Sequence, residues 1–303
     1  FHAIFVTAQG AVMEVKMKLI VKADDFGYTR SYNDGTMKAI EEGIVTVVDV
    51  MLDTPGTVDA LERIRNYPWI SVGWHGGHFW GKPVADPSLV PSMINAEGKF
   101  KWRRDKKLQE TVVYEEALIE MRAELDRCIR ILGCVPAYTE IHGDSVMDRA
   151  KRIVCDEYGI RYGFAEVHRG DQIIPAEAKY RTCSIYKVDP TQQYIGALSK
   201  DRVVLEQEYH PINHFKQYLA PKSELTYLSP WHPGYCDEYI AAESSMRECR
   251  DIDVRDLCSE ELKQWIIENR VELVNYQDAI EGTRNYQNYL RVTKNPLWTG
   301  YFK

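Results

Sequence analysis

The chain has 303 residues, 45% of them hydrophobic, and a formal charge of −7. That is enough apolar material for one large domain or two small ones, and length does not choose between them. No basic block suits a nucleic acid, and no apolar stretch is long enough to span a bilayer, so both kinds of partner are set aside.

Residues 1–16 fit poorly with the rest of the chain. The segment is mildly apolar but lacks the basic start of a signal peptide. Met17-Lys18 reads as a natural beginning, and the upstream stretch as an extended start or an appended remnant. The expected division is therefore an N-terminal extension, 1–16, and a catalytic domain, 17–303.

Lys18 to Ala23 is an apolar-rich run that predicts a buried strand, and it ends in two adjacent carboxylates, Asp24 and Asp25. A helix follows to Gly43, capped by Ser31 or Asn33. Val45–Met51 predicts a second strand, Thr57–Asn66 a helix, and Trp69–Trp74 a third strand with His75 at its end. Residues 76–106 form a long connection rich in Gly and Pro, either a functional rim or a surface insertion. A long helix is expected over Thr111–Leu132, where Val113, Ala117, Met121 and Leu125 recur every four residues. Pro136–His142 reads as a strand, again with a histidine at its end. A helix over Val146–Tyr158 leads to a short strand near Ile160. Residues 165–200 are weakly patterned. Helices near 212–219 and 255–268 flank the strand Leu225–Ser229, which runs into Pro230-Trp231-His232-Pro233-Gly234.

Alternating strands and helices imply a mostly parallel sheet. Reactive residues recur at strand ends: Asp24 and Asp25, then His75, His142 and His232. A barrel brings such ends together on one face, whereas an open sheet spreads them out except near a switch point, so a barrel is favoured. No GxGxxG or GKS/T loop follows a strand, which weakens a nucleotide-binding fold. The seven cysteines form no CxxC pair. They predict reduced thiols in a cytoplasmic protein.

Asp25, His75 and His142 offer one carboxylate and two imidazoles, a set that suits a catalytic divalent ion. Zinc leads on this mixed N/O chemistry, with magnesium or another divalent ion as alternatives. Asp24 beside the ion is the expected base, and His232 opposite it the expected acid. Each has a plainer reading: an Asx turn at the aspartates, a loop histidine at 75, and a helix start at Gly143-Asp144-Ser145 after His142. Aromatic residues crowd the same loops. Rings there suit the apolar faces of a sugar, or they fill core. Tyr28, Trp80, Trp231 and Tyr235, with His78, are the expected substrate contacts.

The combination resembles the YdjC/ChbG-like carbohydrate deacetylases. Ala23-Asp24-Asp25-Phe26-Gly27 is similar to that family's most specific signature. Gly73-Trp74-His75, Pro136 to His142, and His232-Pro233-Gly234-Tyr235 resemble its later blocks in the same order. The resemblance implies a distorted, TIM-like (β/α) barrel with long rim insertions. It implies Asp25, His75 and His142 as metal ligands, Asp24 as base and His232 as acid partner. It also implies a homodimer, and a small N-acetylated sugar or short oligosaccharide as substrate. The chain departs from the pattern around these positions. Glu140 stands for the usual Asp, Tyr138 for a histidine, and Gly76-Gly77-His78-Phe79-Trp80 for the familiar Leu-Asn-Leu-Thr. A hydrolase of another bond, such as a phosphoester, and a non-catalytic sugar-binding barrel are the alternatives.

Overall fold

The computed structural model describes residues 17–76, 81–101, 106–141, 143–163, 165–169, 172–174, 185–187, 202–219 and 226–302. Its centre is a ten-stranded sheet. The strands are β1 (Met17–Phe26), β2 (Val47–Val50), β3 (Ser71–Trp74), β4 (Tyr138–Thr139), β5 (Arg161–Tyr162), β6 (Ala165–Arg169), β7 (Gln172–Ile174), β8 (Ile185–Lys187), β9 (Thr226–Trp231) and β10 (Val271–Leu273). Their spatial order is β5-β4-β3-β2-β1-β9-β8-β6-β7, with β10 also on β1. Every pairing is parallel except β6 with β7. With helices packed around it, this parallel core is a distorted TIM-like (β/α) barrel.

Alternation along β1 explains the layering. Leu19, Val21 and Ala23 join the large core shared with the surrounding helices. Ile20 points the other way and meets Val47, Tyr138, Ile185, Leu228, Val274 and Tyr276. That second cluster fills the barrel interior, as layered side chains do in this architecture. Above Ile20 the inward positions change character: the next two are Lys22 and Asp24, both buried.

Helix α1 (Arg30–Glu41) is capped by neither Ser31 nor Asn33, the two expected residues, both of which lie inside it. Thr29 accepts from the Tyr32 amide at 3.1 Å and is the true cap. Asn33, expected at that position, instead accepts from the Gly27 amide at 2.8 Å and donates to the Gly56 carbonyl. The long helix ends at Leu132 as expected, with Gly133 as its C-cap, but it starts at Tyr114, three residues later than expected, and Val113 is its N-cap. Ser145 caps Val146–Tyr158 through a reciprocal box with Asp148. The helix expected over 255–268 is two helices, Cys249–Leu257 and Glu260–Glu268, because Ser259 caps the second one.

Among the described residues, no helix is long and apolar enough to cross a membrane.

Candidate active site

Two adjacent residues in a regular strand point to opposite faces. The structure breaks that rule at Asp24-Asp25. The β1–β2 register shifts between Ala23 and Phe26, so three steps on β1 match two on β2. Asp25 takes a left-handed backbone, φ 62°, which a short polar side chain tolerates better than most. Strain of this sort concentrates at functional sites. The bulge lets both carboxylates approach His75.

The turn is then pinned. The Tyr32 hydroxyl donates to the Asp24 carbonyl at 2.8 Å, and the Thr54 hydroxyl to the Gly27 carbonyl at 2.6 Å. Gly27 itself has φ 99°, and a Cβ there would sit 2.8 Å from the Met51 carbonyl oxygen. Only glycine fits.

His75 stands between carboxylates. Its Nε2 lies 3.1 Å from Asp25 Oδ1, and its Nδ1 lies 3.6 Å from Asp49 Oδ2. Burial works against a charged ring, but the carboxylates of Asp25 and Asp49 beside its two nitrogens and the charge of Asp24 prevail. They hold its pKa at about 10. The imidazolium thus fills a cation's place, which is the behaviour expected of a metal-ligating set before an ion arrives.

Asp25 also pairs with Arg250, Oδ2 to Nη1 at 2.9 Å. Burial would raise the Asp25 carboxyl, yet Arg250 and His75 keep it well below the usual range. Arg250 is itself buried, donates to the Tyr32 hydroxyl at 3.2 Å, and lies over the Tyr28 and Tyr32 rings.

Asp24 behaves differently. Burial drives its pKa up to about 7, against the pull of Lys22 and His75. Its Oδ1 is buried and accepts no well-formed hydrogen bond among the described residues, although the Lys22 ammonium is 2.8 Å away. A buried carboxylate poised near neutrality is the profile of a general base.

Beneath these groups, Lys22 is fully buried and also reaches Asp49 and Glu140, each at 2.9 Å. Burial disfavours its charge, but Asp24, Asp49 and Glu140 keep it protonated, well above the usual lysine value. Lys187 pairs with the other Glu140 oxygen at 2.6 Å. Lys151 donates to the carbonyls of Gly76 and Glu140, at 2.9 and 3.0 Å, and so ties the end of β3 to the end of β4.

Asp24, Asp49 and His75 bring one ligand atom each within 4.8 Å of one another, a grouping able to hold a cation. The position between Asp24 and Asp49 is already taken by the Lys22 ammonium. Both Asp49 oxygens also have donors, Oδ2 from Lys22 and Oδ1 from the Tyr138 hydroxyl. An ion on the Nδ1 side would have to displace the Lys22 ammonium from Asp49, whereas one between His75 Nε2 and Asp25 Oδ1 would displace only the proton these two share.

Of the other residues expected from the sequence, His232 is half-buried near Asp25 and helps hold that carboxylate ionised. Its backbone amide is anchored to Asp253 at 2.8 Å. Tyr28 and Trp231 are almost wholly buried. Tyr28 packs edge-on against Tyr239, and Trp231 packs on Phe215 and donates to Ser229. The structure puts both rings in the core, where burial removes the exposed face a sugar would need. Tyr235 lines a depression with Lys38 and Glu42 of α1. His78, Trp80 and His142 lie outside the described residues.

Lys22, Asp49 and Arg250 were not singled out in the sequence. An acid inside the apolar run Val47-Val48-Asp49-Val50 was the available signal, because a strand covered on both faces has no solvent for it.

A cavity of about 450 Å³ adjoins the turn, with Thr54, Gly81, Lys82, Phe100, Arg127 and Tyr239 in its wall. A larger one, about 700 Å³, opens near Lys18 and Glu272, at the N-terminal end of β1 and away from the acids.

A sequence profile described as YdjC-like protein matches residues 18–268. A carbohydrate deacetylase of Geobacillus stearothermophilus is 38% identical over 275 residues, covering 86% of this chain and 96% of that protein. One from Brevibacillus brevis is 28% identical over 269 residues, covering 86% and 99%. A crystal structure of an Enterococcus faecalis V583 protein, provisionally named for cellobiose-phosphate cleavage, superposes with a TM-score of 0.67 at 21% identity. It covers 87% of this chain and 99% of that one, which is a likeness of fold.

Proposed function

Because the chain belongs to the YdjC-like protein family, we propose that it is a metal-dependent carbohydrate deacetylase that releases acetate from an N-acetylated amino sugar or short oligosaccharide. The carrying observation is the bulge that turns Asp24 and Asp25 toward one histidine, with one carboxyl held ionised and the other near neutrality.

Asp25 and His75 Nε2, with His142 from the sequence, would hold one divalent ion, zinc first. Such an ion lowers the pKa of water and polarises an amide carbonyl. Asp24 accepts the proton of the water that attacks the acetamide carbon. Arg250 keeps Asp25 ionised and oriented, and so keeps a ligand in place. As the C–N bond breaks, His232 gives a proton to the leaving sugar amine. The products are acetate and the free amino sugar.

The test is acetate release from a panel of N-acetylated mono- and disaccharides by chelated protein, with and without added zinc. Release that depends on the metal supports the reading. A protein that binds zinc but releases acetate from no sugar overturns it, and a generic phosphoester panel run alongside then reports the alternative bond.

A further inference from the structure

We infer that Asp49 is the positioning residue of this site: it holds His75 by Nδ1 so that Nε2 faces Asp25, and Lys22 and Tyr138 hold Asp49. The inference rests on the proposed metal site and names what sets its geometry.

Three neighbouring strands build the device in one row. Asp49 on β2 pairs with Gly73 on β3, and Gly73 pairs with Tyr138 on β4. The Asp49 and Tyr138 side chains meet across the glycine, where the tyrosine hydroxyl donates to Asp49 Oδ1. A Cβ at Gly73 would collide with that same oxygen and with the tyrosine ring. The absent side chain is the space in which the pair forms.

From β1, Lys22 reaches the other oxygen at 2.9 Å, and His75 Nδ1 lies 3.6 Å from it. Asp49 is fully buried, so it cannot swing out to solvent. Its freedom is removed by two donors before the imidazole is considered. A ring nitrogen that binds metal is commonly oriented by a carboxylate on its other nitrogen, and loss of that partner typically costs 10–100-fold in affinity. Here the carboxylate is fixed by the barrel's own interior layer.

This assigns Asp49 a role distinct from that of a ligand. The Lys22 ammonium and the Tyr138 hydroxyl already donate to its two oxygens, one each. The chemistry reaching substrate stays with Asp24 and Asp25.

Two readouts test it in the intact protein. The first needs no metal: nitrogen-15 NMR of His75 in chelated protein. Wild type should show a protonated Nδ1 whose signal moves in Asp49→Asn and, by less, in Tyr138→Phe. Signals unchanged in both variants overturn the inference whether or not the protein binds metal. The second is calorimetric titration of zinc. Asp49→Asn should keep one site but bind about 10–100-fold more weakly, with Tyr138→Phe between it and wild type. Unchanged affinity in both, or complete loss of the site in Asp49→Asn alone, overturns it, the latter because it would make Asp49 a ligand. If Asp49→Asn does not fold, Tyr138→Phe carries both measurements. Wild type that binds no zinc or other divalent ion counts against the proposed function, while the NMR still decides the position of the ring.

Discussion

Asp25 and Arg250 form an ion pair at 2.9 Å between the first strand and a late helix, with the guanidinium fully buried. Removing one partner of such a pair strands the other charge in a poor solvent. Arg250→Met should therefore destabilise the protein by about 3–5 kcal/mol in denaturant titrations. Arg250→Lys keeps the charge but loses the planar stacking on Tyr28 and Tyr32, and should fall between. A Met variant within 0.5 kcal/mol or so of wild type would show that the His75 imidazolium alone suffices as the counter-charge of Asp25.

Asp24 near pH 7 makes a rate prediction with a sign. A base works when ionised, so kcat/KM should climb as pH rises through neutrality. Asp24→Asn should retain bound metal by elemental analysis, lose about 10²–10⁴-fold in kcat, and show no such limb. Full activity in that variant would move the base elsewhere.

His75 makes a stability prediction. Its folded pKa, about 10, lies above the ordinary 6.5. The contribution is thus fully present below about pH 6.5 and is lost as pH rises through about 10. Denaturant midpoints of chelated protein should fall across that window, and His75→Gln should flatten the curve. Zinc affinity should rise over the same range, because the ring must give up its proton to bind.

Gly73→Ala should act like an overpacked core, costing about 1–3 kcal/mol by pushing Tyr138 away from Asp49. Thermal melts combined with zinc titration check it. A stable variant whose zinc binding is unchanged would mean that the row of three residues can relax.

The strand ends were legible because their apolar runs and turn residues agree: β1 and β3 read directly from Leu19–Ala23 and Val72–Trp74. The aspartate pair was legible as chemistry. The bulge that turns both acids inward was not, since nothing in Ala-Asp-Asp-Phe announces a register shift. The strands over 165–187 and 271–273 were missed because three to five residues carry no period of their own. Lys22 escaped for another reason. A charge alternating with Val21 and Ala23 looks like a solvent face, and only closure of the sheet turns that face into an interior. Arg250 sits in Cys249–Leu257, where charged residues occur on all sides and no stripe marks the buried one.

The layer under the site has a consequence for how an ion enters it. Four acids, Asp24, Asp25, Asp49 and Glu140, meet four cations, Lys22, Lys187, Arg250 and the His75 imidazolium. The bare pit is thus close to electroneutral. Acid groups crowded together would repel one another and leave the fold waiting for its metal, as in small zinc domains. Here the lysines and arginine do that work permanently. An ion binding beside His75 would displace a proton instead of rescuing an overcharged cavity, so the fold would stand complete without waiting for it.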